Sequence, residues 1–287
     1  NMQSIFLQQS WQSLSRQGRN FSCTPWLQDS RSSVEEKTTT STPKKKFKEE
    51  PYHFPHPIWN KSDLNIELTH RKPESFVDHA ALATIKTIRF NFDWMTGYSF
   101  GRLTPRKLLT RCIFLESIAG VPGFIGGALR HLKELREMNR DNNFIHTLLE
   151  EASNEAQHLL SFVTLKQPGM IFRFMVMLSQ GVFWNFFFVA YLISPHFCHR
   201  LVGYLEEEAV NTYTHALQEI EHNPAFAQWK EQPAPQTAID YWKMDQNATV
   251  FDLFKQVRAD EAHHRDVNHR FADMDMEHET NPYGPGE

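Results

Sequence analysis

Residues 258–265 read RADEAHHR. Glu261 stands three positions before His264, a spacing that puts both side chains on one face of a helix. Around them Phe254, Val257, Asn268 and Phe271 continue the same three-and-four register, so the pair shares an apolar stripe and points inward. A carboxylate aimed at a core needs compensation, because an isolated buried charge costs more than a domain can tolerate. That compensation has to come from elsewhere in the chain.

With 22 Glu and 15 His, random order would give about one Glu-x-x-His in this length, and the chain has five. Glu50/His53 sits among prolines, Glu67/His70 lies in a short segment before Pro73, and Glu219/His222 falls where a helix is ending; these three are expected to be solvated. Glu155/His158 differs, since Phe144, Leu148, Glu151, Phe162 and Leu165 carry it on an apolar stripe like that of Glu261/His264. Two further glutamates occupy apolar stripes. Glu116 follows Leu109 and Cys112 and precedes Ala119, and Glu206 falls in register with Val202, Ala209, Tyr213 and Ile220. Two helices with one Glu and two with Glu-x-x-His make the ligand set of ferritin-like di-iron and di-manganese bundles. Four carboxylates balance two divalent cations with neutral imidazoles as the nitrogen ligands.

The rest of the pattern agrees with an all-α fold, a four-helix di-iron bundle with two additional membrane-surface helices. Helices are expected over about residues 76–94, 104–116, 143–166, 195–220 and 250–274, with Pro122 kinking the continuation of the second and Gly123, Gly126 and Gly127 admitting a close neighbour. Residues 170–193 (MIFRFMVMLSQGVFWNFFFVAYLI) have the length of a membrane-crossing helix. A crossing there would divide the ligands between two compartments, so the segment is either an interior helix of the bundle or one lying in the membrane surface, and the second is favoured because Arg71, Lys72, Lys86 and Arg89 offer a basic flank for anionic lipid. Before Asp29 the chain has no acidic residue, and Leu7, Trp11 and Leu14 fall at helical spacing, which reads as a targeting presequence of organelle-import type over residues 1–28, with a disordered tail as the alternative. Residues 29–69, rich in Thr, Lys and Pro, read as a disordered linker or an N-terminal arm, residues 70–281 as the helical domain and 282–287 as a tail. Net charge of -4 excludes the basic field that nucleic-acid binding requires, and three scattered cysteines exclude a disulfide framework or zinc ribbon.

The blocks FLESIAGVPGFIGGALRHL, NEAQHLLSF, LVGYLEEEAVNTY and RADEAHHRDVNHRFADM resemble those of the mitochondrial alternative oxidase family. The resemblance implies a non-proton-pumping oxidase that passes electrons from ubiquinol to dioxygen, giving ubiquinone and water at two non-haem iron ions per chain. It implies a monotopic homodimer on the matrix side of the mitochondrial inner membrane, with inner-membrane lipid and a respiratory assembly as further partners. It makes Glu116, Glu155, His158, Glu206, Glu261 and His264 the metal ligands and gives Asn154 and Asp260 the task of holding them. Glu116, Glu206 and Tyr213 are implied in catalysis, and Arg111, Cys112, Leu115, Ala209 and Thr212 in quinol binding. Ala156 and Gln157 stand where the family commonly has Arg and Met, which bears on the dimer contact. The rival readings are a di-iron quinone hydroxylase with the same ligands and an iron-oxidising or non-catalytic helical bundle.

Overall fold

The computed structural model describes residues 54, 56–98 and 101–284; the expected presequence, residues 1–28, lies outside the described residues. The elements are α1 (Phe76–Thr96), α2 (Pro105–Ala119), α3 (Val121–Glu137), α4 (Phe144–Leu165), α5 (Met170–Ile193), α6 (Pro195–His222), a 3-10 turn (Pro224–Lys230), α7 (Gln236–Trp242) and α8 (Val250–Asp273). Among the described residues the only bridge of strand type is the isolated pair Pro233 and Thr249, so the fold is all-α. Sequence marks several starts. Ser75 and Asp78 form a capping box on α1, Thr249 and Asp252 another on α8, and Thr104 caps α2 ahead of Pro105.

Helices α2, α4, α6 and α8 form the four-helix bundle. α6 and α8 make the most extensive pairing, α2 lies against α4, and α4 also meets α8. Pro122 does not kink a long helix, as its position had suggested. The chain instead breaks at Gly120 and starts α3 anew, with Pro122 in the first turn where its missing N–H costs nothing. The glycines beside it do admit a neighbour: a Cβ on Gly123 would stand 2.3 Å from the Leu148 carbonyl oxygen and 3.0 Å from Ala152 Cβ. α3 therefore packs backbone to backbone on α4, the helix carrying Glu155 and His158.

Two helices stay outside the bundle. α5 buries only Phe187 and Tyr191 and exposes Met170, Ile171, Phe174, Met177, Val182, Trp184 and Ile193. α1 exposes Ile88, Phe90, Trp94 and Met95. So much exposed aromatic and aliphatic surface is the signature of a face that meets lipid. Both 105–137 and 170–193 are apolar enough to cross a membrane by length and composition. The first carries Glu116 into the core, and the second connects helices whose carboxylates meet, so neither crosses. The expected basic flank is only partly available: Arg89 pairs with Asp93 and Glu208, and Arg71 with Asp273, whereas Lys72 and Lys86 are exposed. A single residue, Ser194, separates α5 from α6, and its hydroxyl accepts the Phe197 N–H as a cap.

Of the expected linker or arm over residues 29–69, residues 29–53 and 55 lie outside the described residues, and the stretch that follows them is held on the bundle. The chain runs along the bundle with a turn at residues 61–64, Arg258 donating to the Leu64 carbonyl at 2.8 Å and Arg265 to that of Glu67 at 3.3 Å. Glu207 then takes His70 Nδ1 at 2.6 Å and the Arg71 backbone N–H at 2.8 Å. Toward the other end, Tyr283 packs edge-on against His263 and Phe271 and its carbonyl accepts from Thr147.

Candidate metal centre

α2 supplies Glu116, α4 Glu155 and His158, α6 Glu206, and α8 Glu261 and His264. None of the six is more than 6% exposed. Their ligand atoms form two groups, Glu116, Glu155, His158 and Glu261 in one and Glu155, Glu206, Glu261 and His264 in the other, each within 4.8 Å. Glu155 and Glu261 belong to both groups. The arrangement can hold two cations with those carboxylates between them, Glu116 and His158 on one side and Glu206 and His264 on the other.

The donor chemistry fits two metal ions. Both oxygens of Glu155 and Nδ1 of His264 are buried without a hydrogen-bond partner. His264 Nδ1 lies 2.9 Å from Glu155 Oε1, yet off the line of a hydrogen bond, which is what lone pairs directed at a shared cation produce. Electrostatics agree. Burial, then the neighbouring Glu261 charge, pushes Glu116 and Glu206 well above the usual carboxylate range. Burial also opposes the Glu155 carboxylate, but His158 and His264 outweigh it and hold it well below. So many carboxylates in one dry volume require positive charge, which two divalent cations supply.

Around this set the fold fixes orientation. Asp260 Oδ2 lies 3.0 Å from His158 Nε2, so the ring donates there and turns Nδ1 toward Glu116, Glu155 and Glu261 at 3.3–3.5 Å. Asp260 itself accepts from Asn154 at 3.0 Å, Trp242 at 2.7 Å and Trp59 at 2.6 Å. Asn154 also donates to the Tyr241 hydroxyl at 2.9 Å. Trp59, Tyr241 and Trp242 were not anticipated. Trp59 lies on the arm and the pair on the short helix α7, a stretch the hydrophobic pattern leaves as polar connection; the adjacent aromatics there were the available signal.

Tyr213 donates its hydroxyl proton to Glu116 Oε1, and burial raises the phenol well above its usual range, so it stays protonated. Phe162 lies parallel to its ring at 6.2 Å and Phe254 edge-on at 5.7 Å, closing that side to water. Cys112, buried beside Tyr213 and Glu116, has its thiol pushed up by burial. Arg111, one residue before it, lies in the α1–α2 seam, paired with Asp93, its guanidinium 4.0 Å over the Tyr98 ring. Leu115 and Ala209 are half-buried, and Thr212 is buried, its hydroxyl returned to the Glu208 carbonyl at 2.8 Å. The structure thus gathers the six expected ligands with Asn154, Asp260, Tyr213 and Cys112, while Arg111 lies to one side.

A bundle that buries two such Glu/His groups is a di-iron carboxylate protein, here with an apolar outer face. The alternative oxidase family model matches residues 59–273, and the chain belongs to that family. Relatives include the mitochondrial alternative oxidases of Ajellomyces capsulatus, 48% identical over 79% of this chain and 68% of the relative, and of Aspergillus niger, with the same figures. That of Trypanosoma brucei brucei is 46% identical over 79% of this chain and 70% of its own length. Family and site together define a di-iron quinol:dioxygen oxidoreductase.

Proposed function

We propose that this chain is a ubiquinol oxidase that reduces dioxygen to water without pumping protons, attached to the matrix side of the mitochondrial inner membrane. The observation that carries the reading is the convergence of six buried Glu and His side chains behind a surface of exposed aromatic helices. The residue roles follow the geometry. Glu116, Glu155, His158, Glu206, Glu261 and His264 hold the iron pair, which when bound supplies the redox chemistry between quinol and dioxygen. Asp260, steadied by Asn154, fixes the His158 ring. Tyr213 keeps a proton at Glu116 Oε1, where it can be delivered to a reacting oxygen, and its aromatic neighbours exclude water.

Quinol arrives from the lipid side through the region of Arg111, Cys112, Leu115, Ala209 and Thr212. Arg111 retains a buried Nε without a partner, a donor suited to a quinol oxygen. The relatives named mitochondrial support the location, and the exposed faces of α1 and α5 support monotopic attachment. A homodimer would use the outer face of α3 and α4, where Phe124, Leu132, Leu135 and Leu160 are exposed near Ala156.

The test is oxygen consumption with a short-chain ubiquinol in the presence of cyanide, with product analysis and an iron count on the same sample. Quinone and water with two irons per chain are the expected products and content. A new ring hydroxyl would move the protein to the hydroxylases, and loaded iron without quinol turnover to the non-catalytic bundles.

A further inference from the structure

The closed cation site needs a route of entry. Around Tyr213 and Glu116 it is closed by Cys112, Phe162 and Phe254, a poor path for a hydrated divalent ion. The opposite end of α4 is different. Glu151 lies one turn before Glu155 on the same stripe, and is 7% exposed. Its Oε1 accepts from Asn268 Nδ2 at 2.8 Å, and the same amide donates to the His264 carbonyl at 3.0 Å, which ties this carboxylate to the backbone of a ligand. Its Oε2 is buried with no partner. Such an orphaned oxygen costs stability unless it has another use.

Glu150, beside it, keeps 9% of its surface in contact with water and makes no hydrogen bond among the described residues. One turn earlier, His146 holds a buried Nδ1 that also lacks a partner. His146 and Glu150 stand one helical turn apart, as do Glu151 and Glu155, about 6 Å in each case, and the adjacent Glu150 and Glu151 link the two rows, which lead from the surface to Glu155 and His264. Oxygen and imidazole donors suit a ferrous ion. Phe54 stands at the outer end, its ring edge-on to His146 at 5.9 Å.

We propose that His146, Glu150 and Glu151 form a water-side loading port that passes ferrous iron along α4 to Glu155 and His264. The proposal rests on the di-iron reading above. It gives the port no part in turnover: these groups speed loading and do not remain in the final coordination.

The experiment uses the full chain in detergent, stripped of metal with a chelator and mixed anaerobically with ferrous ion. Uptake is followed by quenching of tryptophan fluorescence, since Trp59 and Trp242 both donate to Asp260. In Glu150→Gln/Glu151→Gln the second-order loading rate should fall at least about ten-fold, the effect of removing two charges from a cation path. Equilibrium content should remain two irons per chain. Glu151→Asp alone, which keeps the charge, should load at close to the wild-type rate. An unchanged rate in the double variant overturns the port, as does a loss of equilibrium iron, which would make these residues ligands. If the double variant fails to fold by circular dichroism, Glu150→Gln alone decides, and an unaltered rate there is fatal to the proposal. Failure of wild-type protein to bind any iron would instead remove the metal centre itself, so the two ideas fail separately.

Discussion

Trp59 donates its indole N–H to Asp260 Oδ1 at 2.6 Å, across 201 positions of sequence. The other oxygen of that carboxylate faces His158 at 3.0 Å, so the N-terminal arm reaches a histidine of the Glu/His cluster through one intervening group. Trp59→Phe keeps the ring and removes the donor. Iron affinity should weaken by about ten- to a hundred-fold, the usual effect of losing a group that orients a ligand. Titration of metal-stripped protein with ferrous ion, read by a competing chelator, checks this.

Tyr213→Phe removes the proton donor at Glu116 while leaving the apolar cage intact. The variant should retain two irons per chain and lose at least about a hundred-fold in quinol-dependent oxygen uptake, the range for a positioned proton donor. Wild-type turnover with full iron would reduce Tyr213 to a packing residue.

Gly123→Ala should destabilise the fold by about 3 kcal/mol, at the upper end of the cost of overpacking. The added methyl would meet the Leu148 carbonyl at 2.3 Å, a backbone atom that cannot turn aside. Denaturant unfolding measures the loss, and a variant as stable as wild type would show that α3 can retreat from α4.

Acid should weaken the fold in two windows. His199 is brought from 6.5 down to about 4 by burial, so the unfolded chain takes up the proton more readily and stability declines as pH falls from 6.5 to about 4. Asp78 responds lower. Burial opposes its ionisation, but the Ser75 and Glu74 backbone N–H groups and Arg200 outweigh that and hold the carboxyl well below 3.8. Its contribution is complete above 3.8 and lost as pH falls toward the depressed value. Chemical denaturation across this range should show the upper slope disappearing in His199→Gln and the lower one in Asp78→Asn.

Phe174→Asp with Trp184→Asp places charge on the exposed face of α5. Binding to vesicles containing anionic lipid should fall by at least about ten-fold in flotation, because two anchoring aromatics are exchanged for anions. Helical content should not change, as neither side chain is buried.

The bundle and the six Glu and His side chains that it brings together were legible because they obey local periodicity. Glu116, Glu155, His158, Glu206, Glu261 and His264 each break an apolar stripe with a polar residue, and a helical stripe has one inside. The groups that hold the ligands were less visible. Asp260 and Asn154 came only through the family resemblance, and Trp59, Tyr241 and Trp242 not at all. Their roles depend on contacts between distant segments, one of them an arm without regular structure and another a seven-residue helix, and neither leaves a periodic trace. Pro122 was misread because its residue type is the same whether it bends one helix or begins the next, and the break at Gly120 decides which. Gln236–Trp242 was missed for shortness alone.

Ser194 gives the molecule a joint with almost no slack. The rod lying among lipids and the rod bearing Glu206 and Tyr213 meet at that one residue, locked by its own hydroxyl. Depth and tilt of the first are thereby imposed on the second. The bilayer is thus a mechanical mount as well as a reservoir of substrate, setting the angle at which the oxidising chamber is held.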